Sequence, residues 1–266
     1  ACGAPRACAR SMQIIDSKGG CAPPSDIASF VGAAGATMSV VSILGGRGSG
    51  KSTLLNRAFG TDFEVGGAFQ REASPGACAA VSESLLLLDC DGADEGLAKP
   101  LPAGGATAAI TEAELAAFSG ALCDAVIVNV WSSDVGRAVS SNVRMLKALF
   151  GEKVKRHPPP EDARTLMLLA VHDYDPSVEV SALEAAALQD LEAVWSELEL
   201  PEGRNGAALA DFFAVQVQPL AHPRYQPDAY AAAVAGLRSK LAGGARRVRT
   251  AGALASAAAS AWEGVR

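Results

Sequence analysis

The sequence predicts a three-layer α/β fold in which helices cover both faces of a mainly parallel sheet. Five short apolar runs alternate along the chain with five segments of helical periodicity. The runs are apolar almost throughout, which is typical of strands that are covered on both faces. Alternation of this kind favours parallel strands that are joined by right-handed helical crossovers.

The predicted elements follow one another from residue 39 onward. Each strand is an apolar run bounded by Gly, Asp or Pro, and each helix carries apolar residues at helical spacing. The strands cover residues 39–44, 85–88, 125–130, 166–171 and 212–217, and the helices cover residues 50–59, 111–122, 139–150, 180–198 and 228–241. Glycine, proline and alanine predict a loop over residues 93–109, and three consecutive prolines predict another over residues 153–163.

The predicted organisation is one domain with two appendages. Residues 1–29 lack periodicity apart from an apolar patch at residues 12–15, and we expect them to lie along the surface. The domain covers residues 30–245. Residues 246–266 form a helical tail, with the start of a stalk as one interpretation. Because the chain begins with Ala1, we expect a fragment of a longer protein.

Composition excludes several classes of protein. With 49% hydrophobic and 20% charged residues, the 266-residue chain is globular rather than disordered. The net charge of −6 argues against a nucleic-acid partner bound through phosphate neutralisation. Six cysteines without CxxC pairs and three histidines argue against a zinc site, and they are typical of a reducing, cytoplasmic compartment. No apolar run approaches the ~18 residues that a membrane span needs.

The strongest motif is a glycine-rich turn between the first strand and the first helix. It fits GxxxxGK[ST], and its members are Gly45, Gly46, Arg47, Gly48, Ser49, Gly50, Lys51 and Ser52. Glycines let the backbone wrap a phosphate, and the N–H groups that open the helix, where Thr53 follows, point at it. Lys51 would reach the β- and γ-phosphates of a nucleotide, and the Ser52 hydroxyl would bind Mg²⁺. A fortuitous glycine-rich turn is the alternative, and the flanking strand and helix argue against it.

Two further signals lie where predicted strands end. Asp89 follows the second apolar run, where a carboxylate can hold a Mg²⁺-bound water, and the N–H of Gly92 can approach the γ-phosphate. His172 and Asp173 follow the fourth run. One carboxylate can accept both the N1–H and the 2-amino group of guanine, two donors that adenine lacks, so Asp173 indicates GTP. An ordinary polar turn is the alternative at both places.

These motifs and their surroundings resemble the dynamin-superfamily GTPases of the root-hair-defective and atlastin-like type, which fuse endoplasmic reticulum membranes. The resemblance is carried by GGRGSGKSTLLNRAFGT at residues 45–61, DCDG at residues 89–92 and CDAVIVNVWSSDVGR at residues 123–137. Further matches at residues 13–16, 190–195 and 209–220 extend it over nearly the whole chain. WSSDVGR is the most specific part, since ordinary GTPases lack it.

The resemblance implies a P-loop GTPase fold that binds GTP or GDP with Mg²⁺, hydrolyses GTP and pairs with a second copy across the nucleotide face. It also implies a place at the cytoplasmic face of the endoplasmic reticulum, since family members carry a stalk and a membrane hairpin after this domain. The predicted catalytic residues are Lys51, Ser74, Gly92 and Arg47, and the predicted Mg²⁺ ligands are Ser52, Ser74 and Asp89.

Several of these positions depart from the family pattern. Ser74 stands where the family has a first-switch threonine that closes over Mg²⁺, and Pro75 after it stiffens the loop. Arg47 neighbours the position of the loop arginine that serves as an arginine finger in atlastins. His172 replaces an arginine that can lie over guanine, and two arginines after the DCDG motif are lost.

Three functions are therefore left open. The leading one is a GTP-binding, GTP-hydrolysing head of a protein that fuses or shapes endoplasmic reticulum membranes. The altered first switch motivates a second, a nucleotide-binding interaction module with weak or no hydrolysis. A phosphate-loop kinase for a small molecule is the third, and it is disfavoured because neither predicted loop resembles the arginine-bearing lid of such enzymes.

Overall fold

An eight-stranded sheet runs through the protein, whose structure is a computed structural model that describes residues 11–35, 37–65, 76–92, 110–137, 142–155, 164–244 and 248–266. The strands are β1 (Ser11–Ile15), β2 (Thr37–Leu44), β3 (Gly76–Ser82), β4 (Leu85–Asp91), β5 (Ala125–Trp131), β6 (Thr165–His172), β7 (Phe213–Leu220) and β8 (Arg249–Thr250). Their order is β1-β3-β4-β2-β5-β6-β7, with β8 pairing β2. Strands β4, β2, β5, β6 and β7 are parallel, whereas the β1–β3, β3–β4 and β2–β8 pairs are antiparallel.

Helices pack on both faces of this sheet. They are α1 (Pro24–Gly32), α2 (Lys51–Phe59), α3 (Glu112–Leu122), α4 (Val143–Val154), α5 (Val180–Ser196), α6 (Leu209–Phe212), α7 (Pro227–Gly244) and α8 (Ala251–Glu263). Neighbouring residues of β2 face different cores, since Val41 and Ile43 pack with α2 and α7 while Val40 and Leu44 pack with the helices of the other face. The predicted three-layer fold is confirmed.

All five predicted strands and all five predicted helices are present, with ends that differ by a few residues. The largest difference concerns α4, which was predicted over residues 139–150 and is seen from Val143 to Val154. The predicted loop at residues 93–109 lies outside the described residues, as does most of the one at residues 153–163.

The expectation that residues 1–29 lie along the surface is corrected for the part from Ser11 onward, while residues 1–10 lie outside the described residues. Residues 12–15 belong to β1, which pairs with β3, and Ile14 and Ile15 are buried in the core. Strand β3 was also missed, because its sequence GACAAVS consists mostly of small residues of low strand propensity. It forms because it pairs with β1 on one side and with β4 on the other.

The alanine-rich tail packs onto the same core. Leu254, Ala258 and Trp262 of α8 are buried, and the Trp262 ring meets Phe118 edge-on at 5.8 Å. Arg249 of β8 makes two hydrogen bonds to the buried Asp124 carboxylate, of 2.9 and 3.2 Å. The proposed limits at residues 29 and 245 stay a prediction. Among the residues that the structure describes, no helix has the length and apolar character needed to cross a bilayer.

Candidate functional site

Most of the described residues that were singled out in the sequence lie along one edge of the sheet. The carboxyl ends of β2, β4, β5 and β6 lie side by side there, since Ile43 pairs with Asp89 and Trp131 pairs with His172. In open α/β sheets this edge is the usual place for a ligand. The glycine-rich loop, Asp89, Gly92 and Asp173 all lie at this edge.

The loop after β2 has the backbone shape that its glycines allow. Gly45, Gly48 and Gly50 have φ of 145°, 76° and 85°, a region that other residues enter at a cost. A Cβ on Gly45 would also lie 2.5 Å from the backbone oxygen of Asn129. Helix α2 begins directly at Lys51, and no side chain of a described residue caps it, so the first N–H groups of this helix can receive an anion.

Lys51 folds back over this loop. Its ammonium group donates to the backbone oxygens of Gly45 and Gly46, at 3.0 and 3.3 Å, and to the Asp91 carboxylate at 3.2 Å. The side chain is only 4% exposed. The positive charge therefore sits inside the loop that is expected to receive phosphates, and Asp91 is its partner there.

Asp89 and Ser52 form a set of oxygen donors beside Lys51. Asp89 is buried, and its Oδ1 has no hydrogen-bond partner among the residues that the structure describes. Burial raises the pKa of this carboxyl, while a hydrogen bond with Ser52 and the charge of Lys51 oppose that shift. A buried carboxylate oxygen without a partner, next to a hydroxyl, is the donor set that Mg²⁺ prefers. The described residues thus fit Mg²⁺, whereas Ser74 lies outside the described part of the chain.

Gly92 is required by its surroundings for a reason that the sequence did not reveal. A Cβ at this position would lie 2.3 Å from the backbone nitrogen of Glu112 and 2.6 Å from the carbonyl carbon of Thr111. The close approach of two backbones therefore explains this glycine without any ligand. Contact of its N–H with a γ-phosphate stays a prediction.

Asp173 follows β6 with an exposed side chain. Its φ of 54° is in the left-handed region, which Asp tolerates better than most residues. The next residue is fixed in place, because the Tyr174 N–H donates to the Leu220 carbonyl of β7 at 3.1 Å. The backbone next to Asp173 is thus held at the sheet edge, and the Asp173 side chain is open to solvent, as recognition of a base requires. Arg47 is likewise exposed, at the tip of the loop.

His172 does not share this exposure. Its Nε2 lies 2.6 Å from Oδ1 of Asn129, and its ring lies against that of Trp131 with the centroids 5.6 Å apart. Burial lowers the pKa of His172, and the nearby Asp173 opposes that shift. The imidazole is therefore engaged with β5 rather than laid open to a base.

Asn129 is the residue that sequence reasoning missed. It is 1% exposed in the middle of β5, and its amide nitrogen donates to the Ser49 carbonyl at 2.7 Å. A single asparagine in the apolar run AVIVNVW is the signal that could have found it, since a buried amide needs polar partners.

Comparison with known proteins agrees with the resemblance that the sequence motifs show. The family model of the Root hair defective 3 GTP-binding protein (RHD3) GTPase domain matches residues 44–257. Protein SEY1 homolog 2 of Trichomonas vaginalis is 32% identical over 209 residues, which cover 77% of this chain and 26% of that protein. Protein ROOT HAIR DEFECTIVE 3 homolog 1 of Arabidopsis thaliana is 30% identical over 243 residues, which cover 86% of this chain and 29% of that protein. The chain spans about a quarter of the length of these curated relatives.

Proposed function

The chain belongs to the RHD3 GTPase family, and on this premise we propose that it binds GTP with Mg²⁺ and hydrolyses the bond between the β- and γ-phosphates. The observation that carries the proposal is the loop at residues 45–52. Three of its glycines have positive φ, its lysine is buried inside it, and the helix that follows it is not capped by any side chain that the structure describes. This arrangement supports binding of a polyphosphate.

Ser52 and Asp89 would hold Mg²⁺ at this site, with Ser74 as a third predicted ligand. The bound ion would supply positive charge that offsets the negative charge on the β- and γ-phosphates. Asp89 contributes a carboxylate oxygen that has no partner within the described part of the chain, and Ser52 contributes a hydroxyl at the first turn of α2.

The chain's own residues would act mainly by position and charge. Lys51 would exchange Asp91 for phosphate oxygens and stabilise the charge that develops on the leaving group. The N–H of Gly92 would help to place the attacking water. Arg47 is exposed at the tip of the loop, where it would supply a further positive charge when a second copy packs across the nucleotide face.

The base would be read by Asp173. Its exposed carboxylate would accept the N1–H and the 2-amino group of guanine, while adenine would leave it without a donor. His172 would support this contact from behind, since it is buried against Asn129 and Trp131.

For the longer protein, we propose the role that the family resemblance implies. The chain would be the head of a membrane-anchored, dynamin-like protein that forms homodimers and fuses or shapes membranes at the cytoplasmic face of the endoplasmic reticulum. Nucleotide-dependent pairing of two heads would bring two membranes together.

Calorimetric titration of GTP, GDP and ATP in the presence of Mg²⁺ tests the proposal directly. We expect GTP and GDP to bind more tightly than ATP, and GTP turnover to exceed that of a Lys51→Ala variant. Asp173→Asn should shift the preference from GTP to XTP, because xanthine carries a carbonyl in place of the 2-amino group. Turnover equal to that of Lys51→Ala, with GTP still bound, would overturn hydrolysis and leave a binding module.

A further inference from the structure

We propose that Asn129 is a positioning residue that holds the loop at residues 45–52 in the shape that binds phosphate, and that His172 holds Asn129 in turn. The inference rests on the proposed GTP binding and deepens it. It adds a direct link through β5 between the loop that binds phosphates and the strand end that reads the base. Asn129 is separated from Ser49 by 80 residues, so this link is a product of the fold.

The first contact of the link sets the direction of a peptide group in the loop. The Asn129 amide donates to the Ser49 carbonyl at 2.7 Å and lies 3.3 Å from the Ser49 hydroxyl. In a planar trans peptide the C=O and the following N–H point in opposite directions. Because Asn129 fixes the carbonyl of Ser49 toward β5, the N–H of Gly50 is turned away from β5, and we expect it to donate to a bound phosphate.

The second contact sets the orientation of Asn129 itself. A backbone carbonyl can only accept, so the amide nitrogen of Asn129 must face Ser49 and its oxygen must face His172. The Nε2 of His172, at 2.6 Å, then carries the proton and donates it to that oxygen. Burial, which lowers the pKa of His172, favours this neutral form.

All three residues of the link are shielded from water. Ser49, Asn129 and His172 are 4%, 1% and 7% exposed. A polar group in such a place that loses its partner is left unsatisfied, because water does not replace the partner. Removal of any one of them should therefore release the loop rather than be compensated by solvent.

The link ends beside the residue that reads the base. His172 is followed directly by Asp173, whose left-handed backbone conformation allows little adjustment. The base-reading carboxylate and the phosphate loop are thus joined through two buried side chains, those of Asn129 and His172, and one backbone step. For a nucleotide that contacts both the loop and Asp173, the distance between these two parts of the site is therefore fixed before it binds.

Two variants of Asn129 test the first contact, with inorganic triphosphate and GTP as separate probes in the presence of Mg²⁺. Asn129→Asp keeps the size and the acceptor for His172 but removes the donor to Ser49, and Asn129→Ala removes both. We expect the affinities for triphosphate and for GTP to fall by the same factor, about tenfold or more, in each variant. The control Asn142→Ala alters another buried asparagine, at the start of α4, and should change either affinity by less than about twofold.

A pair of substitutions at His172 tests the second contact and remains informative if the Asn129 variants do not fold. His172→Gln keeps a donor for Asn129, whereas His172→Leu has none. We expect His172→Gln to retain triphosphate affinity and His172→Leu to lose it. The double variant Asn129→Ala/His172→Leu should lose little more than Asn129→Ala alone, since both changes remove one link.

The outcomes separate the inference from the proposed function. Asp173→Asn should weaken GTP but not triphosphate, while the Asn129 variants should weaken both. If folded Asn129→Asp, or folded His172→Leu, binds triphosphate as tightly as the unaltered chain, the inference is overturned and GTP binding stands. If the unaltered chain binds triphosphate but does not prefer GTP over ATP, the proposed function fails while the loop inference is still decided by the same titrations.

Discussion

Lys51 forms an ion pair with Asp91 that a bound nucleotide would have to replace. A substitution of Asp91 should therefore change the affinity for nucleotide. The Lys51 ammonium lies 3.2 Å from the Asp91 carboxylate, and the two side chains are 4% and 22% exposed. Replacement of Asp91 by Asn keeps the shape and an acceptor oxygen but removes the charge. The contact that a phosphate must break then becomes weaker, and a negative charge near the triphosphate disappears.

The size of the effect follows from that geometry. A hydrogen bond that involves a charged group contributes about 1.5–3 kcal/mol. Lys51 keeps its charge in the variant, so its bond to the neutral Asn oxygen should lie near the lower end of this range, and its bond to the Asp91 carboxylate near the upper end. The difference of about 1–1.5 kcal/mol corresponds to a gain of about 5- to 13-fold in affinity. We therefore expect Asp91→Asn to bind GDP and GTP more tightly than the unaltered chain by that factor.

Calorimetric titration of both nucleotides at pH 7.5 and fixed Mg²⁺ measures this change. Glu83→Gln is the matched control, because it makes the same change in net charge at a carboxylate that pairs with Arg238 and not with the loop. Its affinity should equal that of the unaltered chain. Equal or weaker binding by Asp91→Asn would refute the view that this ion pair competes with phosphate.

Three further predictions concern stability. Asp89→Asn should raise the free energy of unfolding by about 1 kcal/mol, since it removes a charge that burial disfavours. It should also abolish the Mg²⁺ dependence of GTP binding. A lower urea midpoint than that of the unaltered chain would contradict the stability prediction. Burial lowers the pKa of His172 below 6.5, so in mildly acid solution the unfolded chain binds more protons than the folded chain. The stability that is present above pH 6.5 should therefore be lost as the pH falls toward the folded-state pKa. Urea midpoints at pH 7.5 and 5.5 should show a smaller loss in His172→Gln. Gly92→Ala should destabilise the chain by about 1–3 kcal/mol because its Cβ meets backbone atoms, and should do so without nucleotide; a melting temperature equal to that of the unaltered chain would exclude the clash.

The features that could be predicted from the sequence are those that local physics determines. Gly45, Gly48 and Gly50 appear at the spacing that a phosphate loop needs, and the structure gives each a positive φ. The apolar runs that are buried on both faces are recognisable because their residues are apolar on both sides of the strand. Strand β3 was not recognisable, because its small residues become a strand only through pairing with β1 and β4.

The contacts within the site depend instead on the order of the strands. Asn129 meets Ser49 and His172 because β5 lies between β2 and β6, an order that periodicity does not reveal. The pairing of Lys51 with Asp91 likewise depends on β4 lying next to β2. The sequence therefore predicted several of the described residues at the sheet edge, but it revealed neither Asn129 nor which of these residues contact each other.

Strand β2 connects the C-terminal tail with the glycine-rich loop. Its first residues, Thr37 and Met38, pair with β8, and the loop that holds Lys51 starts after its last residue. Arg249 and the N–H of Val40 both donate to the carboxylate of Asp124, so the tail is linked to the first half of this strand. An extended strand of eight residues spans about 26 Å and resists stretching. The tail and the loop are therefore attached to opposite ends of one extended strand. Because this strand stretches little, a force applied to the tail would be transmitted to the loop.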